Sequence, residues 1–251
     1  MSSDQKYGPG VRRYIEESKK LMAERQALLE RVKKYKFDTI AVHGLYSAEE
    51  ALNQNQGAII EPVYLSTSQA YRDSDELEAA LAYLIPTWCY TRIANPTTYY
   101  LQWVLGLLEG YQTGSDTSCV VTASGMAAIA LATDALLVKQ KTGPENINFV
   151  SSVRLYGGTF QNFNVRKKQE RGIDVHWVLH PEDTEEWKSR IDESTRFLYM
   201  EAPSNPQQSF CDVKALADLA HTWEIPFIID ATCATPAARN WASRDANCGT
   251  R

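Results

Sequence analysis

At 251 residues, with 44% hydrophobic and 23% charged residues, the chain has the composition of a soluble globular protein large enough for one α/β domain, or for a domain and an arm. A net charge of −5 without any long Lys/Arg block argues against a nucleic-acid partner, because phosphate neutralisation needs clustered cations. The first 20 residues lack an apolar signal region and nowhere do about 18 apolar residues run together, so a cytoplasmic protein with no membrane partner is expected.

Residues 11 to 36 are strongly charged yet carry Tyr14/Ile15, Leu21/Met22, Leu28/Leu29 and Tyr35 at seven-residue spacing. That pattern predicts a helix with one apolar face, either lying on its own domain or reaching to a second subunit. We take residues 1–60 as an N-terminal helical arm and 61–251 as the main domain. From Asp38 to Arg92 the order is less regular, with a turn at Asn53 to Gly57 and a breaker at Pro86. Strand and helix then alternate. Strands are expected at Cys119–Val121, Ile147–Ser151, Val175–Leu179, Arg196–Met200 and Phe227–Ile229. Helices are expected at Met126–Lys139, Phe160–Arg171, Glu185–Ile191 and Val213–Trp223. Short connections between such elements specify βαβ units and a mainly parallel sheet with helices on both faces.

Five cysteines, at 89, 119, 211, 233 and 248, form no C-x-x-C pair, so reduced thiols are expected in place of disulfides or a zinc site. His176 and His180 lie in a strand-like stretch that would not bring both to one metal, and no metal site is expected.

Chemistry can reside at four loops and at Asp230. In Thr122 to Ile129, Ser124 suits a helix cap, and Gly125 opens the N–H groups of Gly125, Met126 and Ala127 to an anion favoured by the helix dipole. Tyr90-Thr-Arg92, followed by Asn95-Pro-Thr97, places a phenol and a guanidinium where both can meet a phosphate; a surface arginine beside a packed tyrosine accounts for the same residues. Tyr156-Gly-Gly-Thr159 follows a strand. Its glycines admit a ligand close to the backbone and the Tyr156 ring can stack on a flat heteroaromatic one, although a simple tight turn fits as well. Glu201-Ala-Pro-Ser-Asn-Pro206 is a proline-stiffened loop that holds Asn205 near the sheet edge. Ile225 to Asp230 is an apolar run closing on a carboxylate, read either as a turn cap or as a charge placed at the ligand end of the sheet. All these points fall at the matching end of successive elements, where open α/β sheets bind ligands.

In these motifs the chain resembles the Cys/Met-metabolism family of pyridoxal-phosphate enzymes, which includes cystathionine γ-synthase, cystathionine γ-lyase, methionine γ-lyase and O-acetylhomoserine sulfhydrylase. The resemblance runs from about Asp38 to Ala238 through Tyr90-Thr-Arg92, Asn95-Pro-Thr97, Leu107 to Gly110, Ser124 to Ile129, Tyr156 to Thr159, Glu201 to Pro206 and Asp230 to Pro236. It implies a type I aminotransferase-like fold that binds pyridoxal 5'-phosphate and acts on sulfur or O-acylated amino acids by γ-elimination or γ-replacement. It further implies a homodimer or homotetramer with shared active sites. Under it, Ser124, Gly125 and Met126 would hold the cofactor phosphate, with Tyr90 and Arg92 reaching the phosphate of the neighbouring subunit. Tyr156 would stack on the ring, Asn205 would lie by the ring hydroxyl, Asp230 would pair with the ring nitrogen, and Thr232 would complete the site.

The sequence also departs from the family. There the sheet continues into an apolar strand and an S-x-T-K motif whose lysine attaches the cofactor and moves protons. Here residues 239–251 contain no lysine and the last one is Lys214. The expectation is therefore a chain truncated before the catalytic lysine, incomplete at its C-terminus and inactive alone, or else a non-catalytic partner subunit. Leu101-Gln102 and Ala94 are smaller departures.

Overall fold

In a computed structural model the chain is described at residues 7–115, 117–138, 146–234 and 236. It forms two compact units, Met1–Val121 and Thr122–Arg251.

The first unit is helical. Helix α1 (Pro9–Val32) starts with proline in its first turn, where a missing N–H costs nothing. Val11, Tyr14, Leu29 and Val32 of α1 are buried, but Leu21 and Met22 in its middle are exposed, so the heptad face is only partly covered within this unit. Tyr35 lies beyond the helix end. Four more helices follow: α2 (Phe37–His43), α3 (Ala48–Gln54), α4 (Ser74–Leu81) and α5 (Pro96–Glu109). Asp73 caps α4 by accepting from Glu76 N at 2.9 Å and also accepts the Tyr14 hydroxyl at 2.8 Å, so one carboxylate starts α4 and docks it on α1. The stretch Cys119–Val121 is not a strand: among the described residues it pairs with no other segment, and Val120 is exposed. β-propensity there has no neighbouring edge to act on.

The second unit alternates as the sequence predicts. Helix α6 (Gly125–Leu136) is followed by β1 (Asn148–Ser152), α7 (Gly157–Gln161), a π-helical turn (Asn162–Gln169) and β2 (Asp174–Val178). Helix α8 (Thr184–Arg190), β3 (Thr195–Glu201), α9 (Val213–Thr222) and β4 (Phe227–Asp230) complete it. The expected helix at 160–171 is thus two segments with different hydrogen bonding, and Lys139, the expected end of α6, lies outside the described residues. The strands are all parallel, in the order β2-β1-β3-β4.

Alternation along β3 divides the core. Phe197 and Tyr199 pack with Phe149, Val175, Phe163 and Ile129 on one face, and Leu198 and Met200 pack with Val150, Val178, Trp187, Leu216 and Ala220 on the other. Helices α6 and α7 thereby cover one face, and α8 and α9 the other. Chain order reverses between β1 and β3, since β1 leads to β2 on one side and β3 pairs on the other. In such sheets the crevice outside the C-terminal strand ends, at that reversal, receives the ligand.

Candidate cofactor site

Four segments meet at the C-terminal edge of the sheet. At the start of α6, Ser124 is extended and its Oγ accepts from Ala127 N at 3.1 Å. This corrects the sequence expectation that Ala127 would offer its N–H to an anion, because the cap already occupies it. The N–H groups of Gly125 and Met126 remain as first-turn donors without an intrahelical acceptor. The space beside Gly125 is open, with no atom within 4 Å of where a Cβ would stand.

After β1, Tyr156 is half-exposed and its ring lies against Gly158. A Cβ added there would sit 2.6 Å from Tyr156 Cε1 and 3.3 Å from Met126 Sδ. The glycine is therefore needed for close approach, and it brings the Tyr156 ring and the head of α6 together. After β3, Glu201 is only 5% exposed. Its Oε1 accepts from Tyr156 N at 2.7 Å and its Oε2 from Asn205 N at 3.1 Å. The Asn205 side chain is exposed above that anchored backbone. Burial pushes the Glu201 carboxyl above the ordinary carboxylate range against the opposing pull of the two N–H groups, and nearby Asp230 pushes it further the same way.

Asp230 closes β4 directly opposite Glu201 in the β3–β4 register. Its Oδ1 accepts from Thr232 N at 3.0 Å and from Thr232 Oγ1 at 2.5 Å, and its Oδ2 lies 3.4 Å from the hydroxyl of fully buried Tyr199. One oxygen thus caps the turn, as the first sequence reading has it, and the other faces a buried phenol. Burial and the two nearby carboxylates hold the Tyr199 phenol far above its ordinary pKa, so it stays a neutral donor.

The structure therefore brings Ser124, Gly125, Met126, Tyr156, Asn205, Asp230 and Thr232 to one sheet edge. Tyr90 and Arg92 belong to the other unit. Arg92 lies over the Tyr90 ring at 5.4 Å, and Thr91 N donates to Thr67 O at 2.9 Å, so the segment is anchored while both side chains stay exposed. Thr235, in the last motif, lies outside the described residues. Sequence reasoning gave no role to Glu201 or Tyr199. The signal for both was present, as two polar groups two residues apart in a strand and therefore on one face.

Elsewhere, His176 Nδ1 lies 2.7 Å from Arg190 O, and among the described residues no group of three or more His, Cys, Asp or Glu could hold a metal. Cys89, Cys119, Cys211 and Cys233 are free thiols. No described helix is long and apolar enough to cross a membrane.

A parallel sheet covered by helices on both faces, with backbone donors, an aromatic ring and carboxylates gathered at its C-terminal edge, defines an α/β protein of the open-sheet class. The chain belongs to the Cys/Met metabolism PLP-dependent enzyme family, whose model matches residues 38–246. It is 32% identical over 201 residues to the O-acetyl-L-homoserine sulfhydrylase of Corynebacterium glutamicum, covering 80% of this chain and 42% of that protein. It is 33% identical over 205 residues to the L-methionine gamma-lyase of Pseudomonas deceptionensis, covering 81% and 47%. A crystal structure of an O-acetylhomoserine (thiol)-lyase from Campylobacter jejuni, solved with a pyridoxyl-lysine phosphate, superposes with a TM-score of 0.68 at 27% identity, over 81% of this chain and 46% of that one. The chain thus spans less than half the length of these relatives.

Proposed function

We propose that this chain supplies the cofactor-binding part of a pyridoxal-phosphate enzyme acting on sulfur-containing or O-acylated amino acids by γ-elimination or γ-replacement. The observation that carries the reading is Asp230. It sits at the ligand end of β4, beside the loops of Tyr156 and Asn205 that Glu201 ties together.

The residues present fit the cofactor. The Gly125 and Met126 N–H groups, at the positive end of α6, suit its phosphate, with Ser124 fixing the turn that presents them. The exposed Tyr156 ring suits one face of a pyridine, the Asn205 side chain suits its hydroxyl, and Asp230 suits a protonated ring nitrogen, with Thr232 holding the carboxylate in place. When bound, pyridoxal phosphate supplies the electron sink for a carbanion on an amino-acid substrate. Asp230 would favour a protonated ring nitrogen, the Tyr156 ring would offer it a stacking face, and Tyr199 steadies Asp230 from within the core. Tyr90 and Arg92, exposed on the first unit, would serve the phosphate of a second copy in a dimer or tetramer.

The test is a titration of the 251-residue chain with pyridoxal phosphate, followed by visible absorbance and induced circular dichroism. In parallel, thiol release from methionine and sulfide consumption with O-acetylhomoserine would be measured in a version continued into the lysine-bearing half of a relative. Absence of a cofactor complex in both forms would reject the proposal.

A further inference from the structure

We propose that Glu201 is a positioning residue for the cofactor, its single carboxylate fixing the backbone that carries the Tyr156 ring and the backbone that carries Asn205. This rests on the pyridoxal-phosphate reading of the site. Each carboxylate oxygen serves a different segment: Oε1 takes the Tyr156 N–H at 2.7 Å, 45 residues away in sequence, and Oε2 takes the Asn205 N–H at 3.1 Å. Two N–H groups converging on one side chain require two acceptors and no donor, which an ionised carboxylate provides and an amide of the same size does not. The Tyr156 segment follows β1 and the Asn205 segment follows β3, on the two sides of the crevice at which strand order reverses. The tie therefore sets the spacing between the ring-facing tyrosine and the edge-facing asparagine.

The location of the charge argues for this role. Glu201 is 5% exposed and lies across the register from Asp230, so burial and a neighbouring carboxylate both work against its ionised form. A buried carboxylate kept only to fill space would be replaced by an apolar residue at little or no cost. The two charge-assisted N–H bonds are what the carboxylate gains from its position. Local bonds also hold each segment, Phe160 N to Tyr156 O at 3.0 Å and Gln208 N to Ser204 O at 2.7 Å, but it is Glu201 that joins the two segments to each other.

The experiment compares the 251-residue chain with Glu201→Gln and Glu201→Asp. The amide loses one acceptor and the aspartate keeps the charge but is one methylene too short to reach both segments. Amide hydrogen exchange is read on peptides containing Tyr156 and Asn205, and pyridoxal phosphate binding is read by titration with induced circular dichroism. Both variants are expected to keep the far-UV spectrum and a cooperative melt, to exchange about tenfold faster at one or both segments, and to bind the cofactor about tenfold more weakly with a smaller induced signal. If the glutamine variant fails to fold, the aspartate variant carries the same comparison. Unchanged cofactor affinity and induced signal in Glu201→Gln, or an aspartate variant equal to the unsubstituted chain, would overturn the positioning role alone. Failure of the unsubstituted chain to bind pyridoxal phosphate would overturn the cofactor reading, and the inference with it.

Discussion

Replacing Asp230 by asparagine separates the two roles of this side chain. Its Oδ1 holds the turn through Thr232 N and Thr232 Oγ1, and the asparagine carbonyl can keep both bonds. The new amide NH2 takes the place of Oδ2, 3.4 Å from the Tyr199 hydroxyl, which can rotate to accept from it. Fold stability should therefore move by no more than about 1 kcal/mol, the worth of one ordinary hydrogen bond, or a few degrees in the melting temperature. Cofactor binding should suffer much more. A carboxylate paired with a cationic ring nitrogen is a charge pair, and breaking a buried one costs about 3–5 kcal/mol. Asp230 is half-buried, so the lower end applies. At about 1.4 kcal/mol for each factor of ten, 3 kcal/mol is roughly a hundredfold in Kd. Absorbance titration with pyridoxal phosphate alongside a thermal melt measures both quantities on one preparation. Equal affinity in the two proteins would refute the pairing and leave Asp230 as the turn cap its Thr232 bonds describe. A collapsed melt would instead make it a structural residue.

Gly158→Ala should weaken cofactor binding about tenfold or more while shifting the melt little, because the new Cβ meets the half-exposed Tyr156 ring, which can swing away but not keep its place; titration beside calorimetry checks it. Asp134→Asn should destabilise the protein by about 1–2 kcal/mol in urea unfolding, since the amide oxygen still accepts from Lys167, whose side chain is 1% exposed and whose Nζ lies 2.6 Å from Asp134, but no longer balances its charge. Burial alone would raise the Asp134 carboxyl, but Lys167 and Arg171 outweigh it and hold the group below its ordinary range. Its stabilisation is thus fully present above about pH 4 and lost as pH falls through the lower folded value. A melting-temperature profile should fall as pH drops below about pH 4, less steeply in Asp134→Asn, though Asp174 and Asp192, also held low, keep part of the slope. Trp187→Ala should cost about 3–5 kcal/mol, because the indole is fully buried under the sheet and its Nε1 donates to Pro181 O at 2.9 Å; an unfolding free energy within 1 kcal/mol of the unsubstituted chain would contradict this.

The strands and helices from α6 to β4 were legible in the sequence to within a few residues, because each is specified by a local signal. Asp183 and Asp212 cap α8 and α9, and the apolar runs of β1, β3 and β4 are short and bounded by turns. The motif loops were legible for the same reason, since each glycine, proline or cap acts on its immediate neighbours. Periodicity did not reveal that Cys119–Val121 would stay unpaired, that residues 162–169 would wind as a π-helix, or that Leu21 and Met22 would remain uncovered in the middle of α1. Pairing and coverage depend on what another part of the chain presents. The same distinction holds within the site. The sequence by itself determined which residue types stand at the strand ends and that Ser124 would cap α6, but only the tertiary structure decided that Glu201 would reach the backbone of Tyr156. That long-range partner is set by the strand order β2-β1-β3-β4, which brings together segments far apart in sequence, and no local pattern encodes that order.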